Sequence, residues 1–179
     1  MRTVFVDGHN LIGATPALAA LQRRALAAAR EALTQRIVAR YRHTPHQVVI
    51  VFDGDGESET NQPISGFTRG RVVYSWRGET ADSVIVRLCA EVCASGREAA
   101  VYSNDGEVRY GAAASGAQAA RADDLRREMA AGPRLLRQRF AHHQAVRREL
   151  ERDSEDADAR ASARKRGNPR RLPRNRRSK

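Results

Sequence analysis

The chain has 179 residues, enough to bury one proper core and too few for two ordinary domains with a linker. Charged residues make up 30% and hydrophobic ones 41%, the mean hydropathy is −0.62, and no apolar run approaches the roughly 18 to 20 residues of a membrane span. Two cysteines, Cys89 and Cys93, exclude a disulfide scaffold and a four-cysteine zinc site. Met1-Arg2-Thr3 leads straight into a short apolar run, so the expectation is a cytoplasmic protein with no membrane partner.

The charge is unevenly placed. Residues 1–133 carry 16 Arg against 15 Asp and Glu, a net of +1, whereas residues 134–179 carry 16 Lys and Arg against 6 acids, a net of +10. A near-neutral body with a basic arm suits a polyanionic partner, and nucleic acid is the commonest one. Lysine occurs only at Lys165 and Lys179, against 30 arginines, a bias that a GC-rich genome and selection for guanidinium chemistry explain equally well.

In chain order, Thr3-Val4-Phe5-Val6 reads as a strand ended by a turn cluster, Asp7-Gly8-His9-Asn10. Leu18, Leu21, Leu26, Leu33, Ile37 and Tyr41 recur at helical spacing, predicting one long helix from Pro16 to about Tyr41. Residues 47–52 do not alternate and predict a fully buried strand ending at Asp53-Gly54-Asp55-Gly56. Residues 54–70 are polar and read as a mobile surface loop, and 71–75 as a third strand. Thr80 is placed to cap a helix over 81–94, which Ser95-Gly96 ends. A fourth strand at 99–103, a short helix around 106–113, a weak strand at 117–121 and a helix starting near Asp123-Asp124 complete the body. Beyond Gly132-Pro133 a helix is expected over 134–153, then a disordered basic tail over 154–179.

Strands alternating with helices predict an α/β fold: an open, mostly parallel sheet covered on both faces. Ligands of such sheets bind outside the carboxyl ends of the strands. Asp7, Asp53 and Asp105 each follow a strand at that edge, and Asp82 opens the helix after the third strand. Singly, each is ordinary turn or cap chemistry. Together they repel unless a cation holds them, and the body has no lysine. Carboxylate oxygens without a Cys/His cluster suit Mg²⁺ or Mn²⁺, one or two ions held by Asp7, Asp82, Asp105 and Asp53. Such ions bind a phosphodiester and activate water against it. Asn10 then serves to orient a phosphate or water, or is simply a turn residue.

Taken in order, Val6-Asp7-Gly8-His9-Asn10-Leu11-Ile12, Val51-Phe52-Asp53-Gly54, Glu79-Thr80-Ala81-Asp82 and Tyr102-Ser103-Asn104-Asp105 resemble the motifs of the NYN-domain, YacP-like family within the PIN-like nuclease superfamily. The resemblance spans roughly residues 3–130. It implies a PIN-like fold, metal-dependent endonucleolytic cleavage of single-stranded RNA, and association with translating ribosomes on messenger RNA. By motif, Asp7, Asn10, Asp82 and Asp105 are the implied active centre, with Asp53 close by. Two departures stand out: Ser83 occupies the place of a second acid beside Asp82, and basic residues around the last strand and helix are partly alanine. The second shifts RNA binding onto the tail, through Arg164, Lys165, Arg166, Arg170, Arg171, Arg174, Arg176 and Arg177. A merely solvated tail is the plainer reading of the same residues.

Smaller signals point to packing. Cys89 and Cys93, at i and i+4 on an apolar helix, read as core. His142 and His143 are surface residues by default, and His9 is at best a substrate contact. With Trp76 the one tryptophan, an extended base-stacking platform is not expected. Two other functions compete. Residues 48–56 also fit a haloacid-dehalogenase-type phosphatase with Asp53 as nucleophile and Asp55 as acid/base, but that chemistry needs a cation on the phosphate, usually lysine. The other is an RNA- or ribosome-binding protein without turnover.

Overall fold

Strand-forming runs and helical periodicities alternate along the chain, and the fold follows them. In the computed structural model, which describes residues 1–131, the order is β1 (Arg2–Asp7), α1 (Gly8–Ala14), α2 (Pro16–Gln22), α3 (Leu26–Tyr41), β2 (Gln47–Gly56), β3 (Thr60–Pro63), β4 (Gly70–Trp76), α4 (Ala81–Ala94), β5 (Glu98–Tyr102), α5 (Gly106–Ala114), β6 (Gln118–Ala120) and α6 (Ala122–Ala130). One sheet runs β3-β4-β2-β1-β5-β6. All pairings are parallel except that of the edge strand β3 with β4. No helix among the described residues is long and apolar enough to cross a membrane.

The period-two alternation of strands divides the core into two layers. Val4, Val6, Ile50 and Phe52 face α1, α2, α3 and α6, meeting Leu11, Leu18, Leu33, Ile37 and Leu125. Phe5, Val49, Val51 and Val101 face α4 and α5, meeting Ile85, Leu88, Cys89 and Val108. Both faces are covered, as a parallel sheet requires. From β1 the chain steps outward to β2 and β4, then returns through α4 to β5 on the other flank of β1. The winding reverses between β1 and β5, so the crevice at a switch point opens there.

Three local expectations are corrected. Asp7-Gly8-His9-Asn10 is not a turn but the start of α1, with Asp7 as its N-cap. Gly8 is required there by close approach: a Cβ would sit 2.1 Å from Cε1 of Phe52. The long helix from Pro16 is two helices, because Ala25 is extended (φ −157°, ψ 95°) between them. Leu18 and Ala29 are eleven residues apart, about three turns, so the apolar phase runs through the break and conceals it. Residues 54–70 are not a loop throughout: β2 continues to Gly56, Thr60–Pro63 forms an edge strand, and Ile64 and Phe67 are buried. Pro63 is tolerated because an edge strand has one unpaired side. The helix expected over 134–153 and the tail over 154–179 lie outside the described residues.

Candidate active site

Asp7 ends the central strand and is 3% exposed. Its Oδ1 accepts the Asn10 backbone N–H at 3.0 Å, the capping bond that starts α1. Its Oδ2 accepts the Ser103 hydroxyl at 2.8 Å and the Asn10 side-chain amide. Asn10 therefore sits on the first turn of α1, turned toward Asp7, rather than in a left-handed turn. The Ser103 Oγ in turn accepts the Asp105 N–H at 3.0 Å. One fully buried hydroxyl thus ties Asp7 to the segment carrying Asp105 across the β1/β5 switch point. Asp105 caps α5, its Oδ1 accepting the Glu107 N–H at 2.7 Å.

Asp53 arrives from the other side. The β2/β4 register jumps between Phe52 and Gly56, a bulge of the kind that re-aims side chains, and Asp53 lies in it. Its Oδ1 accepts the Ala81 N–H at 2.9 Å, fixing the start of α4. Thr80 caps the same helix by accepting the Ser83 N–H, and Asp82 occupies its first turn. The Asp82 carboxyl is pushed up to about 6, first by burial and then by the negative charges of Asp7, Asp105, Asp53 and Glu107. The four predicted aspartates therefore share one electrostatic neighbourhood at the carboxyl edge of the sheet.

Two arginines flank it, and sequence reasoning missed both. Arg30 of α3 lies 5.2 Å from the ring centres of Phe52 and of Tyr74, which stack on each other. Its Nη2 donates to the Asp53 carbonyl at 3.0 Å and lies 3.4 Å from Nε2 of His9. Burial first, and then the Arg30 charge, lower the His9 pKa, against the opposing pull of Asp53 and Asp7. On the opposite flank Arg109 of α5 donates to the Ser103 carbonyl at 3.0 Å. The available signal was phase. Arg30 follows buried Ala29 and precedes buried Leu33 by three, which puts it at the margin of the inner face of α3.

The donor set is one of hard carboxylate oxygens crowded enough to raise one member's pKa, which suits a divalent cation. Among the described residues no three His, Cys, Asp or Glu side chains form a ready-made cage. An ion such as Mg²⁺ keeps several waters and needs only one or two carboxylates. A buried Asn104 Oδ1 without a hydrogen-bond partner, next to Asp105, marks a further polar contact left open at this edge. Asp55 is exposed on the β2 extension, and Cys89 is buried in the core with its thiol pushed up to about 12 by burial. The eight basic tail residues, His142 and His143 lie outside the described residues.

An open parallel sheet with acids gathered where its winding reverses is the architecture of a PIN-like, NYN-type domain. The YacP-like NYN domain family matches residues 4–166, and the chain belongs to that family, which is of nuclease type. The match corrects the expected span of 3–130: it includes 134–153 and Arg164, Lys165 and Arg166, so the basic segment is in part shared and not wholly an addition. The chain is 28% identical to the YacP protein of Bacillus subtilis (strain 168) over 144 residues, covering 78% of this chain and 81% of that one. It is similar to the crystal structure of Rae1 (YacP) from Bacillus subtilis, with a TM-score of 0.61 and 26% identity over 93% of this chain and 96% of the other. A point variant of that protein aligns with a TM-score of 0.60 and 27% identity, over 79% and 82% of the two chains.

Proposed function

We propose that the protein is a metal-dependent endoribonuclease that cuts single-stranded RNA, with messenger RNA on the ribosome as the substrate class. The observation that carries this reading is the placing of Asp7, Asp53, Asp82 and Asp105 at the carboxyl edge of the sheet, where the charges of the other three add to burial in raising the Asp82 pKa. Asp82 and Asp105 are the carboxylates for Mg²⁺ or Mn²⁺, with Asp7 and Asp53 around them. An ion held by these carboxylates would supply Lewis-acid chemistry, activating water and offsetting charge on the phosphodiester. Asp7, locked by Asn10 and Ser103, fixes the relative position of the two central strand ends. Asn10 holds that carboxylate in place and orients the phosphate or its water. Arg30 supplies positive charge beside Asp53 for a neighbouring phosphate. The tail residues Arg164 to Arg177 add contacts to the RNA backbone that read no sequence.

The phosphatase reading lacks the usual lysine, since none precedes residue 165, and Asp53 Oδ1 is already engaged by the start of α4. The test is cleavage of end-labelled single-stranded RNA with Mn²⁺ or EDTA, beside Asp7→Asn and Asp82→Asn. Metal-dependent cutting lost in both variants is expected, on free RNA or in a translating complex. RNA binding with no cutting in either setting identifies the binding-only alternative and overturns the proposal.

A further inference from the structure

An open cleft of about 500 Å³ lies beside the acidic edge, lined by Glu57, Ser58, Glu59, Trp76, Glu79 and Arg87. Trp76, at the end of β4, is 42% exposed although it is the chain's only tryptophan. An indole is costly to leave in water, and here its position is set: the ring packs over Gly78, where a Cβ would lie 2.1 Å from Cη2. Part of the indole remains open to solvent. The carboxylates around it differ in state. Arg87 binds Glu59 and Glu79, with Nε–Oε1 of Glu79 at 3.2 Å, and also reaches Glu91 at 3.6 Å. Glu57 has no such partner among the described residues, so it is the carboxylate with acceptor capacity to spare.

The cleft is close to the site of cutting. Glu79 and Asp82 are three residues apart, so their Cα atoms are at most about 11 Å from each other by chain geometry. That is the span of one to two nucleotides.

We infer that this cleft holds one base of the substrate, stacked on Trp76 with its exocyclic amino group donating to Glu57. The inference rests on the nuclease reading of the acidic edge and deepens it by assigning a base preference: adenine, cytosine and guanine carry such an amino group, uracil does not. A single aromatic acting as a stacking post fits the scarcity of aromatics elsewhere, and stacking on one is worth about 1–3 kcal/mol per base. The neutralising role of Arg87 keeps the cleft from repelling the adjoining phosphate as strongly as three free glutamates would.

Because Trp76 is the sole indole, intrinsic fluorescence reports on this cleft directly and requires no cleavage. The experiment titrates metal-free full-length protein carrying Asp82→Asn with five-nucleotide oligo(A), oligo(C) and oligo(U), and with AMP. The expected result is quenching by oligo(A) and oligo(C) at several-fold lower concentration than oligo(U), with AMP weaker than oligo(A). Glu57→Met, which has no comparable acceptor, should remove the preference while retaining the quenching. In the otherwise wild-type enzyme, Trp76→Ala should raise KM for RNA about tenfold with kcat nearly unchanged, and Trp76→Phe should restore most of it. Absence of quenching, or equal response to all three oligonucleotides, overturns the inference; so does AMP binding as tightly as oligo(A), which identifies a free-nucleotide pocket. Metal-dependent cutting that persists alongside any of these negatives leaves the nuclease reading standing.

Discussion

Replacing Asp82 with asparagine should abolish cutting and at the same time make the metal-free protein more stable. In the folded chain this carboxyl titrates at about 6 rather than its ordinary 3.8, first through burial and then through the charges of Asp7, Asp105, Asp53 and Glu107. At about 1.4 kcal/mol for each tenfold change in proton affinity, that rise bounds the effect at about 3 kcal/mol. Asp82 is only partly buried, so solvent screening reduces the expected gain to about 1 kcal/mol. The sign follows from proton binding. Between about pH 4 and pH 6 the folded chain holds a proton that the unfolded chain has lost, so stability falls as pH rises through that window and stays lowered above it. Asparagine carries no charge, so the advantage of Asp82→Asn should be absent below about pH 4, grow to about pH 6 and then level off. Urea melts in EDTA across that range measure it directly, and the matching rise in Tm is about 3 °C near pH 7. Adding Mg²⁺ should stabilise the wild type and leave the variant almost unmoved, because the ion binds where the repulsion was. A variant less stable than wild type near pH 7, or a difference independent of pH, refutes the account of a carboxylate destabilised by its neighbours.

Ser103→Ala removes the hydroxyl between Asp7 and Asp105 and leaves a buried carboxylate oxygen with one donor fewer; a loss of about 1–3 kcal/mol by urea melts and a fall in kcat exceeding any change in KM are expected. Arg30→Met retains the stem that packs on Phe52 and Tyr74 but removes the cation, so RNA affinity by filter binding should fall several-fold while the His9 pKa, followed by NMR, rises as one of the charges lowering it is lost. Deleting residues 154–179 should weaken RNA binding and flatten its dependence on salt, and unchanged affinity would rule out the tail as a tether.

The sheet was legible because its strands are short, β-branched and bounded by acids and glycines, and because one fold satisfies that alternation. Asp7, Asp53 and Asp105 could be placed at one edge from strand polarity alone, and Asp82 from the Thr80 cap that starts its helix. The break at Ala25 was hidden because the apolar phase on either side of it is continuous, with neither Gly nor Pro to mark it. Edge strand β3 was hidden for the opposite reason: Thr60–Pro63 is exposed at every position and carries no hydrophobic alternation to read. Arg30 and Ser103 escaped because their roles depend on what lies across the sheet from them.

That last difference explains how the acidic edge is held in place. Asp7, Asp53 and Asp105 each accept a backbone N–H at the start of a helix, from Asn10, Ala81 and Glu107. Each carboxylate is thus held at a helix N-terminus, where the dipole favours negative charge, and the strand-to-helix turns fix their directions. Asp82 lies in a first turn too but makes no such bond, since Thr80 supplies the cap of α4. Its pKa is raised first by burial and then by the charges of Asp7, Asp105 and Asp53. Three of the four carboxylates thus anchor the start of a helix, and Asp82 alone among them does not. The carboxylate freest to take a cation is the one that the fold itself does not use.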